Sequence, residues 1–229
     1  MSGLRARLLA VPTERMHLWL MLVLTFTTGI NDAVGYLGLD KVFTGNMTGN
    51  VVVLGMALVG GSGLPILGPA LALVGFMAGA AIAGRALRRG DRSWHGVTTL
   101  VFAAVALLML VLGVVLLAAG GEPGQSLRVT VTTSAAFAMG MQAAAARLVG
   151  VKDVTTVVVT STITGLAADL GSGKREGAGR RASAVVAIIA GAATGAALLK
   201  WHVGTGLLLA GVVIGLATWV GDLHDRGRR

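Results

Sequence analysis

Val42-Phe43-Thr44-Gly45-Asn46-Met47-Thr48-Gly49-Asn50-Val51-Val52-Val53-Leu54-Gly55 and, further along, Val158-Val159-Thr160-Ser161-Thr162-Ile163-Thr164-Gly165-Leu166-Ala167-Ala168-Asp169-Leu170-Gly171 decide how the rest of the chain is read. Aligned without gaps, the two share Val, Thr, Thr, Gly, Leu and Gly at equivalent places. Each opens on a polar string where a membrane-crossing segment carries apolar residues. Each lies inside a chain that is otherwise built for lipid: 229 residues, 55% hydrophobic, with a mean hydropathy of +0.81. A soluble domain does not need that much apolar residue for its core.

Working outward, apolar segments fall at about 17–39, 42–60, 65–87, 96–119, 127–148, 154–171, 182–199 and 203–221. Arg5, Arg7 and Arg15 ahead of the first imitate a signal peptide, but no A-x-A-like cleavage site follows, so His17 to Leu39 reads as a retained first span. The 19 Lys and Arg residues then choose among topologies. If every segment crossed with the N-terminus inside, the cluster Arg85, Arg88, Arg89 and Arg92 would be stranded outside. If segments 42–60 and 154–171 enter and leave by one face, only Lys41, Arg128 and Lys200 remain outside. The rest, including Arg147, Lys152, Lys174, Arg175, Arg180, Arg181, Arg226, Arg228 and Arg229, collect inside. The positive-inside rule favours the second arrangement. It predicts an all-α integral membrane protein of six transmembrane helices and two re-entrant half-helix segments, with both termini cytoplasmic. The β-branched run Val154 to Thr160 predicts an extended entry before the second short helix.

The halves repeat beyond the two polar strings. Phe26-x-x-Gly29-x-Asn31-x-Ala33 meets Phe137-x-x-Gly140-x-Gln142-x-Ala144, Gly79-Ala80-Ala81 meets Gly191-Ala192-Ala193, and Trp94-His95 meets Trp201-His202, in conserved order along the chain. Three spans per half is an odd number, so the second half enters from the opposite side. The prediction is one membrane domain over 1–229 built as an inverted 3+3 repeat, with repeat one at about 17–119 and repeat two at about 127–221.

Gly29-Ile30-Asn31-Asp32-Ala33 with Asn46-Met47-Thr48-Gly49-Asn50, and later Ala138-Met139-Gly140-Met141-Gln142 with Thr162-Ile163-Thr164-Gly165, resembles the YoaK-like bacterial membrane proteins. The resemblance runs through most of the chain, and the NMTGN string is its most specific part. It implies a multi-pass protein of the bacterial inner membrane in a family defined by a domain of unknown function, and it implies no activity.

A helix start presents unsatisfied N–H groups and a partial positive charge, which suits an anionic or strongly dipolar solute. The sequence-level site therefore places Thr44, Gly45, Asn46, Thr48 and Asn50 on one side and Thr160, Ser161, Thr162 and Thr164 on the other, where the two short helices would meet, with Asn31, Asp32 and Gln142 beside them. The plainer alternative is that these groups only cap helix ends and hold helices together. Asp32, deep in the first span, is the sharpest single residue, a carboxylate able to bind a proton or cation that drives transport or, more plainly, to anchor Asn46 or Asn50. Asp169 reads as paired with Lys174 or Arg175. His17, His95, His202 and His224 read as interfacial, and Trp19, Trp94, Trp201 and Trp219 as an aromatic belt.

Gly75-x-x-x-Gly79, Gly191-x-x-x-Gly195 and Gly211-x-x-x-Gly215 read as close packing inside the bundle, with a second copy of the chain as the other partner they could serve. No nucleophile with a base, no paired carboxylates and no metal cluster stand at depth, so the chain is expected to be no enzyme and to need no cofactor or metal. Its basic residues lack a soluble binding face, so nucleic acid is not an expected partner and the lipid bilayer is. The expected activity is secondary transport of a small anionic or polar solute, with proton or cation coupling. A passive channel and a non-transporting scaffold or accessory protein are the alternatives.

Overall fold

A computed structural model describes residues 8–60, 63–88, 93–151, 159–172 and 177–228. They form α1 (Thr13–Ala33), which continues as a π-helical stretch over Val34–Leu39, then α2 (Met47–Leu58), α3 (Leu67–Leu87), α4 (Gly96–Ala119), α5 (Gln125–Val149), α6 (Val159–Gly171), α7 (Ala178–Leu198) and α8 (Val203–Arg226). No strand occurs among the described residues. Arg5, Arg7, Arg89, Arg92, Lys152, Lys174, Arg175, Arg229 and residues 154–158 of the expected extended entry lie outside them, while Val159 and Thr160 at its end are already helical.

Among the described residues five helices are long and apolar enough to cross a membrane: α1 with its π extension, α3, α4, α7 and α8. Their outward faces carry Val74 and Met77, Leu100 and Leu107, Val186 and Ile189, and Leu216, all exposed. That is tolerable where lipid replaces water. α5 is as long, at 25 residues, but its polar residues keep it from reading as apolar, and the reason is its place in the bundle. It and α1 lie innermost, burying Thr132, Gln142, Thr25, Thr27, Thr28 and Asn31 along with apolar neighbours. Helices α2 and α6, with 12 and 13 residues, rise only about 18–20 Å, short of the roughly 30 Å hydrocarbon core.

Small residues set which helices touch. A methyl group added at Gly29 of α1 would run into the Ile188 carbonyl and Ala192 amide of α7, and one at Gly140 of α5 into the Phe76 carbonyl and Ala80 amide of α3. Gly191 likewise closes on the Phe26 carbonyl and Gly79 on the Phe137 carbonyl. Along α7, Gly191 and Gly195 face Phe26 and Ile30 in rising order, so α1 and α7 run parallel; Gly75 and Gly79 face Thr133 and Phe137, so α3 and α5 do too. α4 and α8 run antiparallel, because Gly113 meets Leu208 while Gly211 meets Leu110. All three GxxxG motifs thus pack within the bundle. Helix α2 lies on α3 and α6 on α7; α1 also touches α8, and α5 touches α4. Exchanging α1 with α5, α2 with α6, α3 with α7 and α4 with α8 reproduces the same set of neighbours, the π stretch aside.

Side chains fix the ends. His95 and His202 N-cap α4 and α8, accepting from the amides of Thr98 at 3.4 Å and Gly204 at 3.1 Å, a role more specific than the interfacial one expected of them. Gly150 stops α5 in the left-handed region at φ 62, where glycine carries no Cβ penalty. His224 is buried and bonds the Val11 carbonyl at 3.0 Å, and Arg228 donates to Thr13 Oγ1 at 2.7 Å, which brings both ends of the chain to one face.

On the opposite face Arg128 pairs with Glu122 at 2.8 Å and donates to the Pro123 carbonyl. Partial burial there pushes the Asp40 carboxyl up, against the pull of Arg128. Trp19, Trp201 and Trp219 are exposed as a belt requires, but Trp94 is only 3% exposed. Its indole seats against Gly221, stacks on Phe102 and donates to Thr99 Oγ1 at 3.0 Å, so it is a core residue and the belt expectation fails for it.

Candidate functional site

The polar string that opens α2 folds back onto α1 and closes there. Asp32 Oδ1 accepts from the amides of Gly45 at 2.7 Å, Thr44 at 2.9 Å and Asn46 at 3.4 Å, and from the Thr44 hydroxyl at 3.4 Å. Asn46 caps the helix by accepting from Gly49 N at 3.1 Å. Asn50 reaches back one turn and makes both bonds to the Phe43 backbone, accepting from its N–H at 2.8 Å and donating to its carbonyl at 2.6 Å. A carboxylate here answers the partial positive charge of the helix start. Asp32 thus takes the place expected for an anionic solute and anchors Thr44, Gly45 and Asn46; Asn50 belongs to Phe43 instead. Gly45 must be small, since a Cβ would press on Thr28 Cγ2 at 3.1 Å and Met139 Cε at 3.3 Å. Thr48 is exposed.

Next to this knot α1 crosses α5. Asn31 Nδ2 donates to Met139 Sδ at 3.3 Å, and Gln142 Nε2 donates to Thr28 Oγ1 at 3.2 Å and the Leu24 carbonyl at 3.4 Å. The arrangement is reciprocal: Thr28 opposes Gln142 and Asn31 opposes Met139, so α1 and α5 run antiparallel here. Both amides are fully buried, and the carbonyl oxygens Asn31 Oδ1 and Gln142 Oε1 have no hydrogen-bond partner among the described residues. A buried acceptor left unpaired costs about 1–3 kcal/mol. Native proteins keep few such groups. Asp32 itself is half-buried, and its second oxygen, Oδ2, has no partner among the described residues.

The second polar string sits apart. Thr162 is buried, Thr160, Ser161 and Thr164 are exposed, and the Thr164 hydroxyl turns back onto the Thr160 carbonyl at 2.9 Å. Helix α6 is held to α7 by Arg181, which pairs with Asp169 and donates to the Gly165 carbonyl at 3.1 Å, so Asp169 finds its cation on the next helix. Among the described residues α2 and α6 share no contact. The structure therefore gathers Asn31, Asp32, Thr44, Gly45, Asn46, Asn50 and Gln142 around the α1–α5 crossing and leaves the α6 residues outside that group. Thr28, Met139 and Phe43 belong to the cluster and were not singled out from sequence. The repeat alignment carried the signal for two of them, since it pairs Thr28 with Met139 as it pairs Asn31 with Gln142. No group of three or more His, Cys, Asp or Glu side chains gathers for a metal among the described residues.

A family profile described as "Protein of unknown function (DUF1275)" matches residues 20–220. The chain is 32% identical over 152 residues to the UPF0700 transmembrane protein YoaK of Bacillus subtilis (strain 168). That match covers 66% of this chain and 66% of the relative, just under two thirds of its length. No solved structure matches.

Proposed function

This chain belongs to the DUF1275 family of proteins, and on that premise we propose that it is a small-solute secondary transporter of the inner membrane. In this reading it is an inverted 3+3 repeat with six spans, α2 and α6 re-entrant, and both termini cytoplasmic. Helix directions support the topology. Were α2 and α6 both full crossings, α1 and α5 would run the same way, and so would α4 and α8; with neither crossing, both pairs run oppositely. The contacts of Asn31 with Met139 and Thr28 with Gln142, and of Gly113 with Leu208 and Gly211 with Leu110, fit the second case. The matched glycine contacts of the two parallel pairs support the repeat. Because the chain has no cysteine, single-cysteine labelling tests it directly. Gly60→Cys and Leu64→Cys should react from outside and Ser172→Cys from inside; labelling of Gly60→Cys from the cytoplasm would end the re-entrant reading.

The observation that carries the activity is the pair of buried, incompletely bonded amides where the two repeats cross. Secondary transporters of this architecture bind near the midplane at the repeat interface. The start of α2 is closed by Asp32, so of the two solute classes expected the geometry favours a polar solute over an anion. No chemical step is part of the proposal. Uptake by proteoliposomes against a panel of sugars, amino acids, nucleobases and small organic acids tests it. Solute accumulation above empty vesicles that falls in Gln142→Leu is expected, and flat uptake across the panel would overturn it. A second reading, a non-transporting membrane scaffold, draws on the same α2 knot, because Asp32, Asn46 and Asn50 together account for that polar string as structure.

A further inference from the structure

We infer that the α1–α5 crossing binds one small cation, an alkali metal ion or a protonated amine, through the carbonyl oxygens of Asn31 and Gln142 and the free oxygen of Asp32. The argument is an inventory of donors and acceptors. Each donor atom at the crossing has an acceptor, with one Asn31 Nδ2 hydrogen to spare: Asn31 Nδ2 donates to Met139 Sδ, Gln142 Nε2 to Thr28 and Leu24, the Thr28 hydroxyl to the Leu24 carbonyl at 2.9 Å, and the Thr44, Gly45 and Asn46 amides to Asp32 Oδ1. What remains among the described residues is three acceptor oxygens, Asn31 Oδ1, Gln142 Oε1 and Asp32 Oδ2, against one amide hydrogen.

An anion would meet three oxygens, one of them a carboxylate's, against a single amide hydrogen. A single positive charge would answer these acceptors and matches the one carboxylate. Oxygen ligands of this kind suit a hard cation, and the soft Met139 sulfur is already engaged by Asn31. Asn31 and Gln142 stand at diagonal corners of the crossing, with Thr28 and Asn31 three residues apart on one helix and Met139 and Gln142 three apart on the other. Their offset along the helix axis is thus about 4.5 Å. Asp32 follows Asn31 directly and is the one of the three residues that is not fully buried. Ionisable groups at membrane depth mark such sites by default. The inference deepens the transporter reading by naming the species that would drive it and rests on that reading for its meaning, but its test needs no flux.

Thermal unfolding of the purified protein in nanodiscs, in sodium, potassium and methylammonium chloride against choline chloride at equal ionic strength, decides it. The expected result is a saturable rise in Tm with at least one of the first three and none with choline. The responding salt separates an alkali ion from an amine. In Asn31→Leu and Gln142→Met the apparent affinity should fall by about tenfold or more, while both unfold in choline at the wild-type temperature or above it, because an unpaired buried oxygen has gone. A purely structural amide predicts the reverse, variants less stable in choline with no salt-specific effect, and that outcome overturns the inference. So does an identical Tm in all four salts, or a cation response unchanged in both variants. If either apolar variant fails to fold, Gln142→Glu supplies the check: an added charge should tighten cation binding, and unchanged affinity overturns the site. Loss of the cation effect with solute uptake intact removes only the site, whereas cation binding in a protein that moves no solute supports the site and removes only the transporter.

Discussion

Helices α2 and α6 begin with the same kind of sequence and are held in different ways. At α2 the fastening is internal to the start of the helix: Asp32 gathers three amides, Asn46 caps, and Asn50 rivets the Phe43 backbone. At α6 the alignment puts Ala143 where Asp32 stands, Thr162 where Asn46 stands and Leu166 where Asn50 stands. The grip comes from the far end instead, through Arg181 on Asp169 and the Gly165 carbonyl. Two like strings can keep their hydroxyls and glycines while the anchoring charge lies on the helix before one and on the helix after the other. The spacing of Thr and Gly is shared; the carboxylate that locks the start of α2 is not.

The contrast can be broken in order of expected effect. Asp32→Ala should be the largest, stranding the Thr44, Gly45 and Asn46 amides at the cost of about 3 kcal/mol, read as a lowered unfolding temperature in nanodiscs. Asp32→Asn keeps an acceptor oxygen and drops the charge. It should abolish ion-coupled uptake with expression intact, and unchanged uptake would remove Asp32 from the mechanism. Arg181→Met should cost about 1–2 kcal/mol, since both partners are partly buried and the Gly165 carbonyl loses its donor. Hydrogen exchange should rise over Val159–Gly171 and stay level over Met47–Leu58; an equal rise in both would mean the two segments are mechanically linked. Asn50→Leu should lose about 1–2 kcal/mol for two backbone bonds. Asn46→Ala is the smallest, about 1 kcal/mol for one N-cap, and its exchange signature should stay inside α2.

Much of this was legible before any coordinates. Hydropathy located α1, α3, α4, α7 and α8 because lipid demands apolar faces, and the distribution of Lys and Arg set apart the two segments that hold the short helices α2 and α6. α5 was legible only as a segment. Its Thr and Gln residues belong to the inside of the bundle, and which helix lies innermost is a long-range fact. The same limit explains the misplaced meeting of α2 and α6. Local signals say that a helix starts with free amides, but a carboxylate twelve residues upstream, coming from another helix, decides whether those amides stay free. Trp94 was misread for a related reason: sequence puts it at a segment end, and only Gly221 on a distant helix makes room for the ring.

The closest helix contacts run between the first four helices and the last four, α1 with α7 and α3 with α5. Neither half contains its own best partner. Cut in the turn at Gly121, the protein would yield two fragments that each present a glycine-lined groove and nothing to fill it, so co-production should rescue what neither makes alone. A progenitor of half this length would have met the same need by inserting in both orientations and clasping its own inverted twin.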